Sequence, residues 1–390
     1  MAPICFGIIG GGWWSEVYLR ICGALPEKFR ISGMVVRRAE AGLVLEQKWG
    51  VQTFRTVDEL VAACPGPQLE FVLVCVSGNA NAPMLLKLAE LGIPSLSQTA
   101  LAPGQTVEEL TELYEQLKDA RVQVAEQYLF QPIHQARLSL LASGRLGPIS
   151  HAQVSAAHGY HGTSLLRHYL GVGAESCRIK ATTFSAPVAQ SPGRQGAVPE
   201  DKLVNSTQTI AWLKFNTAEG EKLGVWDWVG DIYFSYIRTP RIVVRGTHGE
   251  IIDRQVRYLL GPTDPMEYQL ERIDAGKGGQ PDTLEGLYFK SYVGGGEYLT
   301  KNAFAENNQQ PRLTDDELAN AVTLVKMSQY AAGGPSFYSL ADASQDRYLD
   351  LCIAKAAGSG EEVVATRQAW AAAVDGPAAM AAKAGMLSKL

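Results

Sequence analysis

This 390-residue sequence is short of three things: paired cysteines, excess positive charge and long apolar runs. Its six cysteines, Cys5, Cys22, Cys64, Cys75, Cys177 and Cys352, show no C-x-x-C spacing, so neither a disulfide framework nor a zinc site is expected. Acidic side chains outnumber basic ones, 40 to 35, for a net charge of −5. That balance offers no basic footprint for nucleic acid or an anionic membrane. No stretch is apolar for long enough to cross a bilayer. The first apolar run, Ile4 to Ile9, is too short for a signal peptide and lacks a basic flank. A cytoplasmic protein is the expectation.

What is present is an ordered alternation. Ile4–Ile9 reads as a buried strand, three glycines (Gly10–Gly12) end it, and a helical pattern with Val17, Leu19, Ile21 and Cys22 begins at once. Strand, glycine turn and helix bring backbone N–H groups and a helix N-terminus against a pyrophosphate. Gly10 would make the turn and Gly12 would let phosphates approach. Ser15 takes the third position of G-x-G-x-x-G, and Trp13 and Trp14 would cover the cofactor or pack the helix. Further strands are expected at 29–36, 52–54, 71–76, 94–97 and 122–126, and helices at 57–63, 82–91 and 107–118. This pattern implies a doubly wound parallel sheet of the Rossmann type. Ligands sit at the carboxyl ends of such strands. Those ends carry Arg37 and Arg38, Ser77 and Asn79, Gln98, and Gln127 with Tyr128. Arginine at the second strand's end leans the cofactor, NAD or NADP, toward NADP; two solvated loop arginines would look the same.

From Gln131 the pattern changes. A helix at 133–143 precedes β-type segments at 149–156, 178–184, 207–215, 223–229, 233–238, 241–246 and 249–253, interrupted by a helix at 162–170. Short turns between them indicate a mainly antiparallel sheet. Residues 261–279 read as a loop, and helices return at 315–332, 340–357 and 365–374. The expected organisation is a Rossmann domain over 1–128 and an α+β domain with an open sheet over 129–390.

The chain resembles the Gfo/Idh/MocA oxidoreductases. The resemblance rests on Gly7–Ser15, Val122–Tyr128, Ser143–Ile149, His161 to Gly171 and the Arg245–Glu250 turn. It implies a Rossmann domain followed by an open-sheet domain that binds substrate, and hydride exchange with a sugar, cyclitol or glycoside hydroxyl. Two departures stand out. Where that family has Glu-Lys-Pro, this chain has Gln98-Thr99-Ala100; where it has D-x-x-x-H, this chain has Ala157 and His161. The Thr99 hydroxyl can hydrogen-bond but cannot supply the lysine's charge.

Proton removal from a carbinol needs a group that titrates near neutrality, which favours imidazole. The segment His158-Gly-Tyr160-His161 offers two such groups beside a phenol. By family position His161 is the expected base, with His158 and Tyr160 as substrate contacts or a second acid. A helix-entry loop whose histidines satisfy backbone groups is the competing account. No acidic or cysteine partner stands near His158 and His161 in sequence, so a metal is not expected. Trp226 and Trp228 share a strand face, where they would either stack on a sugar ring or pack. Two other functions compete: a redox-neutral glycoside cleavage through a transient ketone, and a non-catalytic cofactor-binding sensor or subunit. A homodimer or homotetramer is expected from the open sheet.

Overall fold

The computed structural model describes residues 2–374 and 376, apart from 77, 102, 103, 105, 194, 195, 197, 199, 277–286 and 306–310. The first sheet is built from β1 (Ile4–Ile9), β2 (Phe29–Val35), β3 (Thr53–Phe54), β4 (Phe71–Val74), β5 (Ser95–Ser97) and β6 (Val122–Val124). Its order is β3-β2-β1-β4-β5-β6 and every pairing is parallel. Order reverses between β1 and β4, which opens a ligand crevice at their carboxyl ends. Helices α1 (Trp13–Ala24), α2 (Ala39–Trp49), α3 (Val57–Ala63), α4 (Gly78–Glu90) and α5 (Val107–Leu117) connect the strands. The apolar strands are buried on both faces: Phe6, Ile8 and all of β4 are inaccessible, and Phe6 stacks on Phe71 at 5.3 Å. Each such side chain contributes roughly 1.5–3 kcal/mol on burial.

The second sheet uses β7 (Ile149–Ser155), β8 (Cys177–Ala189), β9 (Leu203–Thr217), β10 (Gly220–Val229), β11 (Arg241–Gly246), β12 (Gly249–Ile252), β13 (Gln255–Gly261), β14 (Asp264–Gln269) and a late strand, Val363–Ala365. It is antiparallel except where β10 runs parallel to β7. A three-stranded sheet of β15 (Glu271–Gly276), β16 (Leu287–Gly294) and β17 (Glu297–Lys301) lies beside it. Helix α6 (Pro132–Ala142) leads into this region, and α7 (Gly159–Leu170) follows β7. Helices α8 (Asp315–Ala331) and α9 (Leu340–Ser359) pack back on the first sheet's helices. The α8 start is fixed by a capping box, Thr314 with Glu317. Tyr18 on α1 bonds Asn320 on α8 at 2.7 Å, and Gln123 accepts the Phe337 and Tyr338 backbone N–H groups at 3.0 and 3.1 Å. These late helices hold the two sheets' ends against one another.

Five expectations are corrected. Helix α2 was not anticipated, because Arg38 caps it without a side-chain bond and Gly42 dilutes its pattern. Helix α7 begins at Gly159 rather than Gly162, so Tyr160 and His161 stand in its first turn. Residues 233–238 are not a strand: a short 3₁₀ turn (Gly230–Tyr233) leads into an irregular loop. Residues 261–276 are mostly strand, where alternation was masked by Pro265 and Gly261; 277–279 lie outside the described residues. The C-terminal helix expected at 365–374 is instead the end of β18 (Val363–Ala365), paired with β8, and a 3₁₀ turn at Ala369–Ala372.

Candidate functional site

A cavity of about 460 Å³ opens where the first sheet's carboxyl edge meets α7 and α8. One wall comes from the glycine turn. Gly10 has φ +120°, and a Cβ there would overlap the Cys75 carbonyl, so only glycine fits. Gly12 caps α1, gives no side-chain hydrogen bond to it, and has nothing within 4 Å of where a Cβ would lie. A glycine turn opening directly into a helix N-terminus is the geometry that suits a pyrophosphate. Trp13 and Trp14 meet edge to face at 4.8 Å and line the cavity.

The opposite wall carries the polar groups. His161, only 6% exposed, bonds through Nδ1 to Glu126 Oε2 at 2.6 Å. Glu126 is inaccessible to solvent, and its other oxygen accepts the Tyr128 N–H at 3.2 Å. With a carboxylate accepting from Nδ1, the imidazole keeps Nε2 free as a proton acceptor. Tyr160 lies beside His161 with ring centroids 4.0 Å apart and planes tilted by 34°. Burial raises its phenol well above the usual range. A second chain of bonds runs Tyr128 Oη–Tyr233 Oη at 2.7 Å and Tyr233 Oη–His158 Nδ1 at 2.6 Å. Tyr233 is pushed up to about 12 by burial, and Tyr128 is raised further, also by burial. Helix α8 supplies Asp316, whose Oδ1 accepts from Gln131 Nε2 at 2.6 Å. Burial within the cavity wall raises its carboxyl, with the Gln131 bond opposing.

The expected residues divide accordingly. Trp13, Trp14, Gln98, Thr99, Gln127, Tyr128, His158, Tyr160 and His161 all line this one cavity. Gln98 is buried and held by the Tyr18 hydroxyl, and the Ser97 hydroxyl donates to the Thr99 carbonyl at 2.6 Å. Arg37 and Arg38 are exposed at the end of β2, outside the cavity. Two expectations do not hold, and two further residues have no place in the described cavity lining. Ser15 is buried in the α1 turn against Cys75, which is the helix–strand packing role and not a cofactor contact. Asn79 points to solvent on α4. Ser77 lies outside the described residues. Trp226 is 5% exposed and donates its Nε1–H to the Ala157 carbonyl at 3.0 Å, so it braces the α7 entry instead of facing a sugar. Trp228 stays half-buried, with His158 at 5.6 Å and Tyr233 at 4.8 Å between ring centroids. Among the described residues no cluster of metal-ligating side chains occurs, and no helix is long and apolar enough to cross a membrane.

Glu126, Tyr233, Asp316 and Arg20 were missed. Only Glu126 left a trace, as the polar end of an apolar segment, 35 residues before His161.

Residues 4–128 match the Gfo/Idh/MocA oxidoreductase family, described as an NAD-binding Rossmann fold. An inositol 2-dehydrogenase of Corynebacterium glutamicum (strain R) is 28% identical over 145 residues, 37% of this chain and 42% of the relative. The match thus spans less than half of that curated protein. A levoglucosan dehydrogenase solved with NADH and levoglucosan overlays with TM-score 0.65 at 15% identity, covering 93% of this chain and 99% of the other. An oxidoreductase from Agrobacterium radiobacter, solved with NAD+, L-tartaric acid and magnesium, overlays with TM-score 0.60 at 15% identity over 92% of this chain and 98% of the other. At such identities these overlays speak to fold alone. Residues 4–128 thus match the NAD-binding Rossmann part of the Gfo/Idh/MocA oxidoreductases, and over nearly its whole length the chain shares the fold of the levoglucosan dehydrogenase.

Proposed function

We propose that the protein is an NAD-dependent oxidoreductase that moves a hydride between the nicotinamide and a CH–OH carbon of a sugar, cyclitol or glycoside. The observation that carries this is the Glu126–His161 pair, which opens on the same cavity as the glycine turn. The Gly10–Gly12 turn and the first turn of α1 would hold the pyrophosphate, with Trp13, Trp14 and Gln127 beside the rest of the cofactor. When bound, NAD supplies the hydride acceptor. His161 Nε2 takes the hydroxyl proton while Glu126 stabilises the resulting imidazolium. Tyr160 and His158 face the substrate's other hydroxyls, Tyr128 holds His158 in place through Tyr233, and Thr99 offers a hydroxyl where the family has its lysine. Trp228 closes the side next to His158. Arg37 and Arg38 leave room for a 2′-phosphate, so NADP is to be compared with NAD, although the similar proteins name NAD alone.

The similar proteins, which include inositol and levoglucosan dehydrogenases, support the substrate class. The domains divide near 128, in a cytoplasmic dimer or tetramer; Phe184, Leu203 and Trp212 expose large apolar surface on β8 and β9 for pairing. One observation favours the redox-neutral alternative: the cavity lacks the lysine yet keeps an acid and a base. The test mixes stoichiometric protein and NAD, or NADP, with a panel of polyols and glycosides and follows reduced-nicotinamide absorbance through one turnover. A lasting rise establishes the dehydrogenase. A transient rise with aglycone release establishes the alternative, and no rise despite cofactor binding leaves the non-catalytic role.

A further inference from the structure

Three acids open α8, and their partners differ. Asp315 pairs with Arg272 at 2.8 Å, and Glu317 pairs with Arg20 at 2.6 Å. Asp316, between them, has a neutral amide as its partner, Gln131 at 2.6 Å, and lines the cavity that His161 shares. Arg20 is the one arginine or lysine among the described cavity residues, and Glu317 already neutralises it. Glu126 adds a further carboxylate behind His161. One deeply buried group in the same wall also lacks a partner, the Gln127 Oε1 carbonyl, on a residue 3% exposed. An unpaired amide carbonyl calls for a ligand that donates.

We infer that Asp316 is a charge-selecting subsite, and that the substrate is a polyol bearing an ammonium group on the ring, with carboxylated polyols excluded. This deepens the oxidoreductase reading and rests on it for the location of the substrate. An ammonium offers three donors and one positive charge, so it pairs with Asp316 and leaves ring hydroxyls for Tyr160 and for Gln127, which reaches the substrate from beside the cofactor. A carboxylate in that place would meet Asp316 with no free cation to offset it. The raised Asp316 carboxyl fits the same picture: burial first, then Asp315 and Glu317, disfavour its charge, and the Gln131 bond and His161 offset them only in part.

The experiment compares a neutral cyclitol, the same ring carrying one amine, and a hexuronate, with NAD at pH 7. The amine should give kcat/KM at least tenfold above the neutral ring, and the uronate should fall below both. In Asp316→Asn the amine-to-neutral ratio should drop toward one. Equal use of amine and neutral ring, a preference for the uronate, or an unchanged ratio in the variant would overturn the inference. If the variant does not fold, ionic strength replaces it: the amine's KM must rise with salt while that of the neutral ring stays flat, and parallel behaviour overturns the assignment. Should no compound be oxidised, calorimetry on the NADH-loaded protein separates the two ideas. Tighter binding of the amine keeps the subsite while the hydride-transfer reading falls; equal binding or none removes the subsite.

Discussion

Replacing Glu126 by glutamine tests the reacting pair with the smallest change in shape. Glu126 is inaccessible and 2.6 Å from His161 Nδ1, so an imidazolium formed in the transition state has its counter-charge in direct contact. At an effective dielectric of about 20, unit charges roughly 3 Å apart attract by about 5 kcal/mol. Glutamine still hydrogen-bonds and recovers about 1 kcal/mol of this. The remaining loss of about 4 kcal/mol, at about 1.4 kcal/mol per tenfold, predicts a fall in kcat of roughly a thousandfold. The amide can also turn its NH₂ toward Nδ1, which would leave the proton on Nε2 and remove the base. Stability should change little, because the glutamine oxygen can still accept the Tyr128 N–H. The assay is single-turnover nicotinamide reduction, with cofactor affinity from tryptophan fluorescence and fold from near-ultraviolet circular dichroism. A kcat within fivefold of the parent, in a folded and cofactor-binding variant, refutes the assignment of His161 and Glu126 as the acid–base pair.

Gly10→Ala places a methyl against the Cys75 carbonyl at φ +120°. A left-handed conformation alone costs about 1–2 kcal/mol for alanine, so thermal stability should fall by several degrees and NAD affinity at least tenfold, both readable by fluorescence titration and melting; unchanged affinity would remove the turn from the cofactor site. Trp226→Phe deletes the buried donor to the Ala157 carbonyl. An unsatisfied buried carbonyl costs about 1–3 kcal/mol, seen in urea unfolding, with KM for the neutral substrate within twofold; a large KM effect at constant stability would instead make Trp226 a substrate contact.

Local features of the fold were legible because their causes are local. The apolar run of β1 and the glycines after it specify strand and turn without help from the rest of the chain, and Thr314 with Glu317 announces α8 by itself. The site was half legible. Histidine in a glycine-flanked segment draws attention by chemical type, but its partner Glu126 stands on another element, and no spacing rule connects the two. Tyr233 was misplaced because Tyr-Phe-Ser-Tyr-Ile alternates like a strand, whereas Gly230 and Pro240 end strands on either side of it. Trp226 shows a related limit: alternation gives the face of a strand but not its depth, and burial under α7 turned a plausible sugar platform into a brace. Gly162 explains how close that brace sits, since a Cβ there would overlap the indole nitrogen.

The absent lysine changes what pH should do. Every phenol at the cavity is held above its ordinary range by burial: Tyr160 and Tyr128 strongly, Tyr233 to about 12. All three therefore keep their protons throughout pH 6–9 and act as donors, never as the base. No lysine amine stands at position 99 to titrate above them. The sign follows from these directions: none of the three phenols ionises in that range, so none of them adds a limb to kcat/KM between pH 6 and 9. A limb within that range that disappears in Tyr160→Phe, Tyr128→Phe or Tyr233→Phe would refute this. The measurement is a pH profile of kcat/KM with a neutral substrate, whose own charge does not change across the range and whose binding does not depend on the ionisation of Asp316.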